Sequence, residues 1–79
     1  MAIPNDPEIL LRRGDAAHAL CEAGYPVARA TLATLATRGG GPPFRHFGRV
    51  PVYRWGDLLH WARSRLSEPM RSTSEVDAA

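Results

Sequence analysis

Few residues of this 79-residue chain could carry chemistry, and their spacing separates one kind of chemistry from another. Metal ligation would draw on His18, Cys21, His46 and His60, yet these do not fall at a ligand spacing, and no acidic pair stands beside a nucleophile. No metal, no cofactor and no catalytic centre are therefore expected, and the chain reads as a non-enzyme. Cys21 lies beside an apolar helical stripe and is expected to be a small buried hydrophobe. The arginines point elsewhere. All ten basic residues are arginine, and nine of them lie between residues 12 and 65 against Asp15, Glu22 and Asp57, a surplus of +6 between two ends of −2 each. A basic body with acidic ends suits a polyanion, because phosphate neutralisation releases counterions and supplies most sequence-independent nucleic-acid affinity. The alternative is an arginine-rich solvated surface.

The elements that would position these arginines form one small domain, since 44% apolar and 23% charged residues in 79 leave room for a single modest core. The sequence holds no apolar run of membrane-spanning length, its first residues lack the pattern of a secretion signal, and its single cysteine fits a reducing compartment, so a cytoplasmic protein is expected. Residues 1–11 read as a flexible arm from which Ile9, Leu10 and Leu11 could dock on the body. A first helix is expected from Asp15 to Ala23, with Ala16, Ala17, Leu20 and Ala23 at helical spacing and Gly24 as a left-handed cap. A second helix should run from Pro26 or Val27 to about Thr37, its apolar stripe Ala28, Leu32 and Leu35. Its other face, Arg29, Ala30, Ala33, Thr34, Thr37 and Arg38, is small and polar, which lets the backbone approach a grooved surface closely.

Gly39, Gly40, Gly41, Pro42 and Pro43 break that helix. Two strands should follow, residues 44–47 and 50–54, around a turn at Gly48 and Arg49, with Pro51 marking an edge strand. A third helix is expected from Gly56 or Asp57 to Leu66, and residues 67–79 read as a disordered tail. The expected core is Leu20, Leu32, Leu35, Phe44, Phe47, Tyr53, Leu58 and Trp61, with Trp55 either covering it or forming a subunit contact.

The order α-α-β-β-α, mainly helical with a small hairpin, is that of a winged helix-turn-helix domain spanning residues 12–66. The residues Ala16-Ala17, Thr31-Leu32, Gly39 to Phe44, Phe47-Gly48-Arg49, Tyr53-Arg54 and Asp57-Leu58 with Trp61 carry a resemblance. Over about residues 10 to 66 the chain resembles the MerR-like, excisionase-type winged helix-turn-helix family, which includes AlpA-type regulators. It departs from the pattern at Gly14 and Gly56, where a small polar helix cap is usual, and at Pro51, where the second wing strand commonly carries a basic residue.

The resemblance implies sequence-specific binding of double-stranded DNA without chemistry by the protein itself. The expected function is that of an excisionase, a recombination directionality factor that binds and bends attachment-site DNA cooperatively and directs an integrase to excise a mobile element. A small transcriptional regulator of the same fold is the alternative, and a protein-interaction adaptor a third. The partners so implied are duplex DNA, neighbouring copies of the chain on tandem sites and an integrase, in the bacterial cytoplasm at the nucleoid. Recognition-helix candidates are Arg29, Ala30, Thr31, Ala33, Thr34, Thr37 and Arg38, and wing candidates are Arg45, His46, Gly48 and Arg49. Arg12, Arg13 and Arg54 are candidates for the DNA backbone, Arg54 being equally placed to brace the hairpin.

Overall fold

Alanine sets how closely the elements pack. Ala16, Ala17, Ala19 and Leu20 are the buried residues of one helix, so three of its four core positions carry only a methyl group and its backbone lies close to its neighbours. In the computed structural model, which describes residues 3–71, the order is β1 (Leu10–Arg12), α1 (Arg13–Glu22), α2 (Arg29–Arg38), β2 (Arg45–Phe47), β3 (Val50–Arg54) and α3 (Trp55–Ser64). The α-α-β-β-α order of a winged helix is present, with one strand added in front. The residues expected as a disordered tail lie, from 72 onward, outside the described residues, as do residues 1 and 2 of the arm.

A Schellman cap closes α1. The Gly24 amide donates to the Cys21 carbonyl at 3.1 Å and the Tyr25 amide to the Leu20 carbonyl at 2.7 Å, a geometry that needs the left-handed φ of 98° adopted by Gly24. The chain then leaves the α1 axis, and residues 25–28 are irregular before α2 begins. The second helix therefore starts at Arg29, later than the Pro26 or Val27 expected. Val27 is spent packing on the core, with Cys21 Sγ 3.4 Å from its carbonyl oxygen, and Ala28 is extended at φ −90° and ψ 153°. Leu32 is the buried anchor of α2, and Ala28 and Leu35 are not buried.

The sheet is antiparallel in the order β1-β3-β2, so the expected hairpin has a third strand. Leu11 of β1 stands opposite Tyr53 and is buried, while Leu10 and Ile9 stay exposed. The boundary drawn at residue 12 thus falls inside a strand. The segment before it is also fastened, since the Trp55 amide donates to the Ile9 carbonyl and the Gly56 amide to the Pro7 carbonyl, each at 2.9 Å. Pro51 consequently sits in the central strand rather than at an edge. Phe47 and Val50 flank the two-residue turn and pair, so Val50 and Val52 direct their amides to β2 and Pro51 faces the other way, where β1 has already ended at Arg12. No ladder bond is lost to the proline. Gly48, at φ 65°, followed by Arg49 at negative φ, gives the pattern of a type II′ turn.

The core consists of Leu11, Ala16, Ala17, Ala19, Leu20, Leu32, Tyr53, Trp55, Leu58 and Ala62, and among the described residues no charged side chain is buried. Trp55 opens α3 and covers this core at 3% exposure, which decides against a subunit contact there. Trp61 packs at its margin and donates from Nε1 to the Gly40 carbonyl at 2.9 Å, tying α3 to the loop after α2. Leu35, expected in the core, is half-buried and outside it, and two residues expected inside are exposed. Phe47 is 79% exposed, because a strand with a two-residue period cannot turn both Phe44 and Phe47 inward. Cys21 is exposed, one position past the buried Ala19 and Leu20.

Candidate nucleic-acid interface

Arg29 is the first residue of α2, and its side chain lies across the start of α1: a methyl group added at Gly14 would sit 3.8 Å from Arg29 Cδ. The two helix N-termini thereby meet. Between them and the turn end of the hairpin, at Val50 and Pro51, lies a cleft of about 370 Å³ lined by Arg12, Arg13, Gly14, Asp15, Arg29, Val50 and Pro51. Three arginines and one aspartate line it. Neither helix start carries a side-chain cap, since Arg12 and Ala28 occupy the cap positions. The first amides of both helices thus add positive potential to that of the arginines.

Within the cleft the arginines differ. Arg12 and Arg29 are exposed. Arg13 is half-buried and donates from Nε to the Tyr53 hydroxyl at 3.0 Å, with its guanidinium 5.9 Å from the ring centre. It links the cleft to the largest fully buried side chain of the core, and its hydrogen bond makes it part of the scaffold as well as of the surface.

The outward face of α2 carries Ala30, Thr34 and Thr37, all exposed, with Ala33 half-buried at its margin. Thr34 Oγ1 donates to the Ala30 carbonyl at 3.1 Å and Thr37 Oγ1 to the Ala33 carbonyl at 3.3 Å. With their protons turned back onto the helix, the hydroxyls offer only acceptor capacity beside their methyl groups. Arg38 ends α2 about 14 Å along the axis from Arg29, seven residues past Thr31 and therefore on the same side of the helix as Thr31. Thr31 is exposed but lies on the other flank, in a groove shared with Tyr25, Leu35 and Trp61. The seven helix positions are thus divided among one outward face, one flank at Arg29 and one flank shared by Thr31 and Arg38.

Arg45, His46, Gly48 and Arg49 of the hairpin are all exposed. His46 meets Phe44 edge to face with ring centres 5.6 Å apart, and Phe44 in turn packs 5.7 Å from Tyr53, so a line of rings steadies the hairpin on the core. Arg45 and Arg12 both stand opposite Val52, from the two sides of the central strand. The hairpin arginines therefore continue the basic band that starts in the cleft.

Arg54 stands apart from it. Its Nε and Nη2 donate to Glu8 Oε2, and its Nη1 donates to Asp57 Oδ1 at 3.1 Å. Hydrogen bonding to Arg54, and then its charge, hold the Glu8 carboxyl below its ordinary range, and Glu8 raises Arg54 in return. Two carboxylates neutralise this arginine, and of the two roles considered for it the bracing one is occupied. His18 Nε2 lies 3.3 Å from Glu22 Oε1 on α1, away from the cleft. Among the described residues no group of three or more His, Cys, Asp or Glu side chains could hold a metal ion. Among them, too, no helix is long and apolar enough to cross a membrane.

Sequence reasoning missed Gly14 as the seat for Arg29, Asp15 as the acid of the cleft, and the wall formed by Val50 and Pro51. The adjacency of Arg12, Arg13 and Gly14 in the chain signalled the first. Asp15 belongs to α1 and Val50 and Pro51 to β3, and only the packing of these elements brings them together. No protein-family model matches this chain, and no curated protein sequence matches it either.

Proposed function

We propose that the protein binds double-stranded DNA, with α2 entering the major groove and the β2–β3 hairpin lying on the adjacent backbone and minor groove. The observation that carries this reading is the arginine cleft joining the start of α2 to the turn end of the hairpin, beside a helix face made of alanine and threonine. A cleft bordered by Arg12, Arg13, Arg29 and two uncapped helix starts suits a phosphate, which supports a role for Arg29 as a backbone clamp over one as a reader of guanine. Ala30, Thr34 and Thr37 present methyl groups, which suit the thymine methyl on the floor of the major groove. The protein contributes no chemistry of its own in this reading.

One such module buries roughly 600 to 1,000 Å² on DNA, which gives limited specificity to a single copy. Neighbouring copies on tandem sites supply the remainder, and adjacent copies on one duplex also bend it. The biological use we propose is therefore excision: the protein bends attachment-site DNA so that an integrase removes a mobile element. Regulation of transcription by the same interface is the alternative.

The test begins with duplexes recovered by the protein from a randomised pool. Circular-permutation gel shifts should show bending and stepwise, cooperative occupancy, and contact with about 4 to 6 phosphates should give a log–log salt slope of about −4 to −5. A single unbent complex counts against excision, and salt-insensitive binding counts against the DNA reading and for an adaptor. Stimulation of integrase-dependent excision separates the excision reading from regulation, which predicts altered transcription when no integrase is present.

A further inference from the structure

Phe47 is 79% exposed, whereas the other five aromatic side chains, Tyr25, Phe44, Tyr53, Trp55 and Trp61, are buried or half-buried. The strand register says which surface it occupies. Tyr53 faces the core, so alternation turns Val50, Val52 and Arg54 to the opposite face, and their partners Phe47, Arg45, Arg12 and Leu10 share it. Towards the hairpin tip that face reads Arg12, Val52 and Arg45 in one row, Val50 and Phe47 in the next, and then Gly48 and Arg49. No carboxylate stands in those rows. Arg12 belongs both to this face and to the cleft, so the surface continues the basic band.

Building on the DNA reading above, we propose that Phe47 is a wedge that enters the minor groove and partly unstacks one base step, while Arg45 and Arg49 hold the phosphates on either side. The surrounding charge selects the occupant. An apolar ring set among Arg12, Arg45 and Arg49 suits a polyanion whose interior is a stack of flat apolar rings. The support is short and stiff: a two-residue turn adjoins Phe47, and the half-buried Val50 stands directly across from it. Unstacking a step kinks the duplex towards the major groove, and that bend carries more of the DNA onto α2 and the cleft.

The experiment uses the full chain and a short duplex recovered by the wild-type protein from a randomised pool. The duplex is end-labelled for energy transfer and carries 2-aminopurine at each central step in turn. The wild-type protein should shorten the end-to-end distance and brighten 2-aminopurine at one step. Phe47→Ala should melt at the wild-type temperature, keep the wild-type salt slope, bind about tenfold more weakly and lose at least half of the bend together with the brightening. Phe47→Leu, which keeps an apolar wedge, should retain most of both signals.

A Phe47→Ala protein that bends and brightens the duplex like the wild type overturns the wedge and leaves the DNA reading standing. Failure of the wild-type protein to retain any duplex from the pool overturns both. If Phe47→Ala alters sedimentation of the protein alone and leaves the bend intact, the ring is a contact between copies of the chain and the wedge is likewise overturned.

Discussion

Arg54 and Arg29 carry the same guanidinium group, and their neighbours give them opposite roles. Arg54 lies between Glu8 and Asp57, whereas Arg29 lies in a cleft with two further arginines and one aspartate. Replacing Arg29 or Arg12 by alanine should lower the salt slope of DNA binding by about one unit each and leave the melting temperature unchanged, because both side chains are exposed. Arg54→Ala should do the reverse, lowering the melting temperature with no change in slope; binding titrations at several salt concentrations and thermal melts check both outcomes. Glu8 adds a pH dependence. Its folded carboxyl is held below its ordinary value of 4.5, so the stability it contributes is present above 4.5 and is lost as the pH falls through the lowered folded value. Glu8→Gln should therefore melt below wild type at neutral pH, with the gap closing as the solution is acidified below 4.5. Equal melting of the two proteins at neutral pH would assign the tether to the backbone bonds of Pro7 and Ile9 instead.

At the scale of the element, α2 and the hairpin depend on different physics. The fully buried Leu32 is the anchor of α2. Leu32→Ala should cost about 2 to 5 kcal/mol, a large part of the stability of so small a domain, and denaturant titration should show the midpoint falling steeply. The hairpin depends on backbone conformation at its tip. Gly48→Val places a branched side chain at φ 65°, which costs about 1 to 2 kcal/mol locally. DNA affinity should fall in Gly48→Val while amide exchange in α1 remains as in wild type, since the residues around Gly48 take no part in the core. Loss of protection in α1 would mean that the hairpin and the helices unfold as one unit.

At the scale of the whole molecule, the basic band exists because three elements distant in sequence converge. Arg12 ends β1, Arg29 begins α2 and Arg45 begins β2, and the antiparallel sheet with the α1–α2 turn brings them side by side. Arg45→Ala combined with Arg49→Ala should weaken binding to every duplex alike and flatten the salt slope by about two units. The core should be untouched, because both side chains are exposed. Equal affinity in that double variant, measured at two salt concentrations, would remove the hairpin from the interface.

Local signals were enough to place all three helices, the glycine-capped turn and the hairpin, because helical spacing, Gly24 and the glycine-proline break each act within a few residues. Leu20, Leu32, Tyr53 and Leu58 were legible as core for the same reason. Strand β1 was not, since three residues before a helix carry no period of their own and become a strand only when Tyr53 and its neighbours supply the partners. The exposure of Phe47, the engagement of Arg54 by Glu8 from 46 residues away, and the meeting of Arg12, Arg13 and Arg29 follow from that pairing and from the α1–α2 crossing. The sequence alone determined that arginine would dominate the surface and which elements would carry it. Tertiary structure decided which arginines neutralise carboxylates and which stand together, because charge pairing depends on distances that only the packed sheet and helices set.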